Sequence, residues 1–419
     1  MTNAVNQPLP LQRRPELESR EVAYRRQCYW SVKDPLSLRY FQLRDEEHFI
    51  LSMLDGRTSL ETIQQRFQER FAPRRIELPQ LNWFLGMLHR EGLVVSDAPD
   101  QGQQLIGRRR RTQRRQFWSS LSNVLAIRFR GINPAPIIER LYPMVRWAYS
   151  PWCVTLMCLL MLGAVALLLL ELPTVLGRLP TFGEFFTVHN VVWMALALAM
   201  AKGLHELGHA LTCRHFGGHC RELGVMLLVF TPCLYCNVSD AWMIPSKWRR
   251  IAVSAAGIYV ELVLASVCLF LWWFSEPGAF NALCLNLVFV CSVGTLLFNG
   301  NPLLRYDGYF MFADWCEIPN LAQRGSQWVR NRMLHLCAGI DSNAVSPSRD
   351  ERMLLVAYTV ASWIYRAIIL IAILWFCHTA LKPYGLQSLV IGLVVVTVGG
   401  MLAMPMSEMV AVLRDPSRR

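Results

Sequence analysis

The chain has 419 residues, 53% hydrophobic and only 17% charged, with a mean hydropathy of +0.27. Soluble domains carry roughly 25% charge, so a wholly soluble protein is excluded and a membrane protein with room for one soluble domain is implied. The net charge of +12 points to arginines holding loops on the cytoplasmic side or, alternatively, to nucleic acid, while the 13 cysteines are scattered (Cys153, Cys158, Cys268, Cys284, Cys291, Cys377) and read as small buried hydrophobes rather than a disulfide framework.

No signal peptide is expected, because the first apolar run long enough to cross a bilayer starts near Trp152. Residues 1–24 are polar and proline-containing and read as a flexible tail. The runs 29–35 and 37–43 read as a hairpin. Asp45 can cap a helix carrying Phe49, Ile50, Met53 and Leu54, with Gly56 ending it. Ser59 can cap a second, with Leu60, Ile63, Phe67 and Phe71 on one face. Pro79 stands near the start of a third, striped by Leu81, Leu85 and Leu88, and Gly92-Leu93-Val94-Val95 closes the region as a short strand. Through Tyr40-Phe41-Gln42-Leu43, Leu54-Asp55-Gly56-Arg57-Thr58 and Glu91-Gly92-Leu93, residues 25–97 resemble a PqqD-like winged-helix domain, which implies peptide recognition. The helices mix acidic and basic residues and the third carries no basic stripe, so nucleic acid is not an expected partner.

Residues 98–150 read as a basic juxtamembrane linker. Its run Arg108-Arg109-Arg110-Arg111-Thr112-Gln113-Arg114-Arg115 is a solvated linker, an anchor worth about 1 kcal/mol per charge on anionic lipid, or both. Six spanning helices follow, near 152–170, 189–211, 250–274, 279–299, 353–378 and 386–406, each close to the roughly 20 residues a bilayer requires. The loop near 171–188 holds only Arg178 and the 379–385 turn only Lys382. The 212–250 loop holds Arg214, Arg221, Lys247, Arg249 and Arg250, and the loop after the fourth helix is also arginine-rich. This alternation places both termini in the cytoplasm, with residues 151–411 as the membrane domain and 412–419 as a cytoplasmic tail.

In the second span stands His205-Glu206-Leu207-Gly208-His209. Histidines four apart share one helix face and can reach one zinc ion, with the glutamate beside the water. Such a cluster is costly inside a membrane unless it has a function. The topology brings Asp307 to the matching end of the fourth span, which completes two histidines, one carboxylate and an open position, the ligand set of a catalytic zinc site. The His-Glu-x-x-His helix together with Asn299, Pro302, Asp307 and Gly308 resembles the site-2 protease family of intramembrane zinc metalloproteases. The wider runs Glu222–Met226, Val238–Trp242 and Asn301–Phe310 resemble bacterial peptide zinc metalloproteases that join a PqqD-like domain to this core.

The resemblance implies that His205, His209 and Asp307 bind Zn2+, that Glu206 is general base and acid, and that Asn299 helps hold substrate or the oxyanion. It also implies a place in the inner (cytoplasmic) membrane, a peptide or membrane-protein substrate, and membrane-fusion or export components as partners. One departure stands out: where many of these proteases carry Gly-Pro-x-x-Asn, this chain has Gly257-Ile258-Tyr259-Val260-Glu261. Lys202 can pair with Glu261, as can Arg366. The apolar run Gly224–Pro232 can supply an edge strand for a substrate or serve as plain packing. Cys233-Leu234-Tyr235-Cys236, near Cys213, His219 and Cys220, has metal-ligand spacing, a weak signal by itself. The function expected is peptide-bond hydrolysis. The alternatives are a non-hydrolytic scaffold of a peptide export or efflux system, and a transporter, against which the lack of an obvious repeat between the helix triplets argues.

Overall fold

A computed structural model describes residues 8–96 apart from 25, 26, 36 and 38, residues 126–185 apart from 130, and residues 187–228, 231–338 and 348–382, with isolated positions beyond. The expected sixth span, the 108–115 arginine run and the C-terminal tail lie outside the described residues. The chain forms two compact units, residues 1–300 and 301–419. It is a mainly α polytopic membrane protein with a small sheet-containing domain at its N-terminal end.

The first unit opens with β1 (Leu11–Arg13), β2 (Glu18–Tyr24), β3 (Gln27–Asp34) and β4 (Arg39–Arg44), then α1 (Asp45–Ser52), α2 (Leu60–Phe71), α3 (Leu78–Glu91) and β5 (Val94–Ser96). The segment expected to be a tail is therefore partly ordered: β1 pairs with β5 and β2 with β3, while β3–β4 is the expected hairpin. The buried alternation that makes β2 a strand is only Val22 and Tyr24, too short and too flanked by charge to read from pattern. Ser59 caps α2 by accepting from the Thr62 amide, Pro79 sits in the first turn of α3, and Gly92 ends α3 at φ 78°. Asp45 does not cap α1; Arg44 holds that position, and Asp45 instead accepts the Trp30 indole N–H at 3.0 Å. Leu51, Ile63, Leu81, Leu88 and Leu93 close one apolar core.

Next come β6 (Ala126–Arg128) and α4 (Ala135–Val145), inside what reads in sequence as linker. Then follow α5 (Pro151–Leu170), α6 (Leu172–Arg178), α7 (Phe182–Phe185), α8 (Val188–His215), β7 (Leu223–Leu228), β8 (Thr231–Cys236), α9 (Lys247–Phe274) and α10 (Ala279–Val293), the last running into a π-helical turn over Gly294–Asn299. β7 is the middle strand of the sheet β6-β7-β8. The run Gly224–Leu228 expected to offer an edge is thus paired on both sides, and the outer strand next to it is β8.

The second unit holds α11 (Asp307–Trp315), α12 (Leu321–Ala338) and α13 (Arg349–Leu381). α12 and α13 pack closely, since a Cβ on Gly325 would lie 2.4 Å from Thr359 Oγ1. Ser362 donates to Leu303 O at 2.7 Å, which pins the turn before α11 to α13. Five helices among the described residues are long and apolar enough to cross a membrane: Pro151–Leu170, His189–His215, Lys247–Phe274, Ala279–Asn299 and Arg349–Thr379.

Within the first unit, the N-terminal sheet docks on the turn Ser239–Met243 before α9. Asp240, 4% exposed, accepts Lys33 Nζ at 2.8 Å, the Tyr40 hydroxyl and the His219 amide at 3.0 Å. Arg250 stacks over Tyr24 with its Cζ 4.7 Å from the ring centre. Burial alone would raise the Asp240 pKa, but the bonds from Lys33 and Tyr40 and the Lys33 charge hold it below the ordinary aspartate value. The network therefore stabilises docking fully above the aspartate range, and its contribution is lost as pH falls through the depressed value. Asp240→Ala leaves Lys33 buried without this carboxylate, and the expected cost is about 3–5 kcal/mol. Hydrogen exchange in β2–β4 should speed up while the α1–α3 core stays protected; unchanged exchange in the sheet would refute this role.

Candidate metal centre

α8 is a 28-residue helix started by Thr187, whose hydroxyl accepts the Asn190 amide. Its apolar length carries His205 and His209 into the protein, where each is 4% exposed. One helical turn apart, their rings converge, with the two Nε2 atoms 3.1 Å apart. Helix α9 makes this possible by approaching closely at two glycines, Gly208 of α8 and its own Gly257. A Cβ on Gly208 would lie 2.9 Å from Val260 Cγ2 and 3.2 Å from Ala256 O, so the helices cross at glycine-to-backbone distance. A Cβ on Gly257 would lie 2.5 Å from both Nε2 atoms and 2.4 Å from His205 Cε1. Glycine at 257 keeps open the space into which both nitrogens point.

The outer nitrogen of His209 fixes its tautomer, and that of His205 faces a carboxylate. His209 Nδ1 is 2.8 Å from Val253 O, and a carbonyl only accepts, so Nδ1 carries the proton. His205 Nδ1 lies 3.2 Å from Glu261 Oε1, again an acceptor when ionised. With the proton on Nδ1 of both rings, the two Nε2 lone pairs would converge at 3.1 Å, an arrangement suited to a cation between them. Two nitrogens about 2.0–2.1 Å from one tetrahedral zinc stand roughly 3.3–3.4 Å apart, so the pair fits that ion closely. A histidine ligand backed by a carboxylate and another by a carbonyl is the usual outer support of such a centre.

Glu261, 1% exposed, is the hub of that support. Its Oε1 accepts Lys202 Nζ at 2.6 Å, and its Oε2 accepts Thr295 Oγ1 at 2.5 Å and Asn299 Nδ2 at 3.3 Å. The π-helical turn lets Thr295 and Asn299 reach one oxygen; its wider winding shows as the Gly300 amide bonding Thr295 O, five residues back, at 2.7 Å. Glu206 sits half-buried between the histidines on α8. Asp307 belongs to the second unit, where it opens α11 after a turn closed by Leu303 N donating to Asn301 Oδ1 at 2.8 Å.

Residues 193–413 match peptidase family M50, more than half of the chain. The chain belongs to peptidase family M50. This is the site-2 protease family, as its motifs indicated. The M50 chain is also 29% identical, over 144 residues, to the Bacillus subtilis (strain 168) protein named Putative peptide zinc metalloprotease protein YydH. The match covers 34% of this chain and 55% of that relative, so the chain spans about half the relative's length. No solved structure matches it.

In this M50 chain the structure brings together His205, His209, Lys202, Glu261, Thr295 and Asn299. The glutamate that departs from the family pattern is thus bonded to Asn299 and faces His205 at 3.2 Å. Of the two partners weighed for Glu261, Lys202 is the one seen bonded to it. Sequence reading missed Gly257, Thr295 and the Val253 carbonyl. Gly257 had a usable signal: one turn before Glu261 on the same helix face, a glycine costs roughly 0.5–1 kcal/mol relative to alanine and so points to a close approach. The backbone carbonyl had none.

Proposed function

We propose that the chain is an intramembrane zinc endopeptidase that hydrolyses peptide bonds of a membrane-associated or exported peptide near the cytoplasmic face. The observation that carries this reading is the pair of Nε2 atoms converging on the space that Gly257 keeps clear. His205, His209 and Asp307 would hold the metal, Asp307 being supported by its place in the family motif and by the two-histidine, one-carboxylate rule for catalytic sites. When bound, zinc polarises the scissile carbonyl and lowers the pKa of a water toward 7. Glu206 takes the water proton and delivers it to the leaving amine. Glu261 keeps the His205 imidazole oriented with its proton on Nδ1, and Asn299, tied to Glu261, lines the same polar cluster as a candidate substrate-positioning residue.

A helical substrate hides its carbonyls, so it must be extended at the site. The outer edge of β8 is suited to pair with such a segment: Leu234 of β8 lies against Gly203, two residues from His205. The N-terminal domain serves as the PqqD-like peptide-recognition module. Both termini face the cytoplasm by the arginine distribution, and membrane-fusion or export components are the partners the family resemblance suggests.

The test is zinc content of purified protein and cleavage of a neighbouring exported peptide, for wild type and Glu206→Gln. Removing a general base costs on the order of 10²–10⁴ in rate, so the variant should keep its zinc and lose cleavage by that factor. Stoichiometric zinc with no cleavage that depends on Glu206 would favour the scaffold alternative. Folded protein that takes up no metal would end the enzyme reading.

A further inference from the structure

Beyond the metal centre, two thiols are held together with no role in peptide hydrolysis. Cys220 lies in the loop after α8 and Cys236 ends β8. Their sulfurs are 2.7 Å apart, nearer to the roughly 2.04 Å of a disulfide bond than ordinary sulfur hydrogen bonds come. The backbones that carry them are already fastened. Leu223 pairs with Cys236 in the β7–β8 ladder, and the Asn237 amide donates to Glu222 O at 2.8 Å. The partner of Cys236 is Cys220, 16 residues upstream.

The contact itself sets the two thiols apart, one pushed down and the other up. The hydrogen bond between the two sulfurs holds the Cys220 thiol below its ordinary pKa, which favours the reactive thiolate. Cys236 is half-buried, so a small oxidant has a way in. The pair packs with Leu207, Ala210 and Leu211 of α8, and the charge of Glu206 pushes both thiols up, against the effect of the sulfur–sulfur hydrogen bond on Cys220. A covalent change here would be felt next to the helix that carries both metal-facing histidines.

We propose that Cys220 and Cys236 form a reversible dithiol–disulfide site, oxidised by a peroxide, that ties the loop after α8 to the end of β8. One thiolate attacks a peroxide oxygen and breaks the O–O bond, leaving a sulfenic acid and hydroxide. The second sulfur displaces the sulfenic oxygen as hydroxide and forms the S–S bond. The two thiol protons end on the two oxygens as two waters, and the sulfurs together lose two electrons. A thiol reductant reverses the change by exchange.

The experiment uses full-length protein in detergent, treated with hydrogen peroxide or left reduced, then alkylated with N-ethylmaleimide and digested without reductant for mass spectrometry. The expected product joins the peptides containing Cys220 and Cys236, two hydrogens lighter than their sum, and dithiothreitol restores alkylation of both by at least tenfold. The joined product should vanish in Cys220→Ser and in Cys236→Ser. Both cysteines alkylated after peroxide, or Cys236 joined to Cys213 instead, would overturn the proposal. The readout is covalent, so it stands or falls separately from peptide cleavage.

Discussion

Gly257→Ala should empty the metal centre. The added methyl would stand 2.5 Å from both Nε2 atoms and 2.4 Å from His205 Cε1, occupying the point at which the two nitrogens converge. In a helix interior, alanine is otherwise better than glycine by roughly 0.5–1 kcal/mol, so a loss of function here cannot come from backbone propensity. Bound zinc is expected to fall from one per chain to almost none, and peptide cleavage by roughly 10²-fold or more, the penalty of displacing reacting groups by about 1 Å. Circular dichroism should show the helix content retained. Wild-type zinc content in Gly257→Ala would mean that the metal sits elsewhere.

Glu261→Gln should weaken zinc without removing the histidines. The amide keeps the shape but loses the charge that accepts from Lys202, Thr295 and Asn299 and faces His205 Nδ1. Outer-support changes of this kind cost 10–100-fold in metal affinity, a range that chelator competition resolves. A second variant, Lys202→Met, separates orientation from charge balance. If Lys202 acts through Glu261, the double variant should lose less than the sum of the singles, with a coupling of about 0.5–3 kcal/mol. Additive losses would show that Lys202 serves some other group.

Much of this was readable from residues alone, and the reasons are uneven. The described spans fall close to their expected positions because apolar runs of about 20 residues have few alternatives. His205 and His209 were legible because a helix of 3.6 residues per turn stacks positions four apart. Ser59 and Pro79 mark helix starts through chemistry local to each terminus, whereas Gly92, read as the start of a strand, ends a helix instead. β2 and β6 were not legible, since each owes its existence to a partner strand: β6 pairs with β7 about 100 residues later. Glu261 was conspicuous as a departure, but its role depends on four groups that only packing brings to it. The Cys220–Cys236 contact was not legible, because only the fold brings together two thiols 16 residues apart.

The Asp240 junction also bears on the order of synthesis. Tyr40 meets a carboxylate 200 residues further along the chain. At about 5–20 residues per second, ribosomes take roughly 10–40 s to supply it. For that interval the N-terminal domain must hold itself together through its own Leu51–Leu81–Leu93 core, with Lys33 still in water. Docking then has to wait until Asp240 has emerged after the helix that carries His205 and His209. The junction can therefore close only on a chain whose first two spans have already been made.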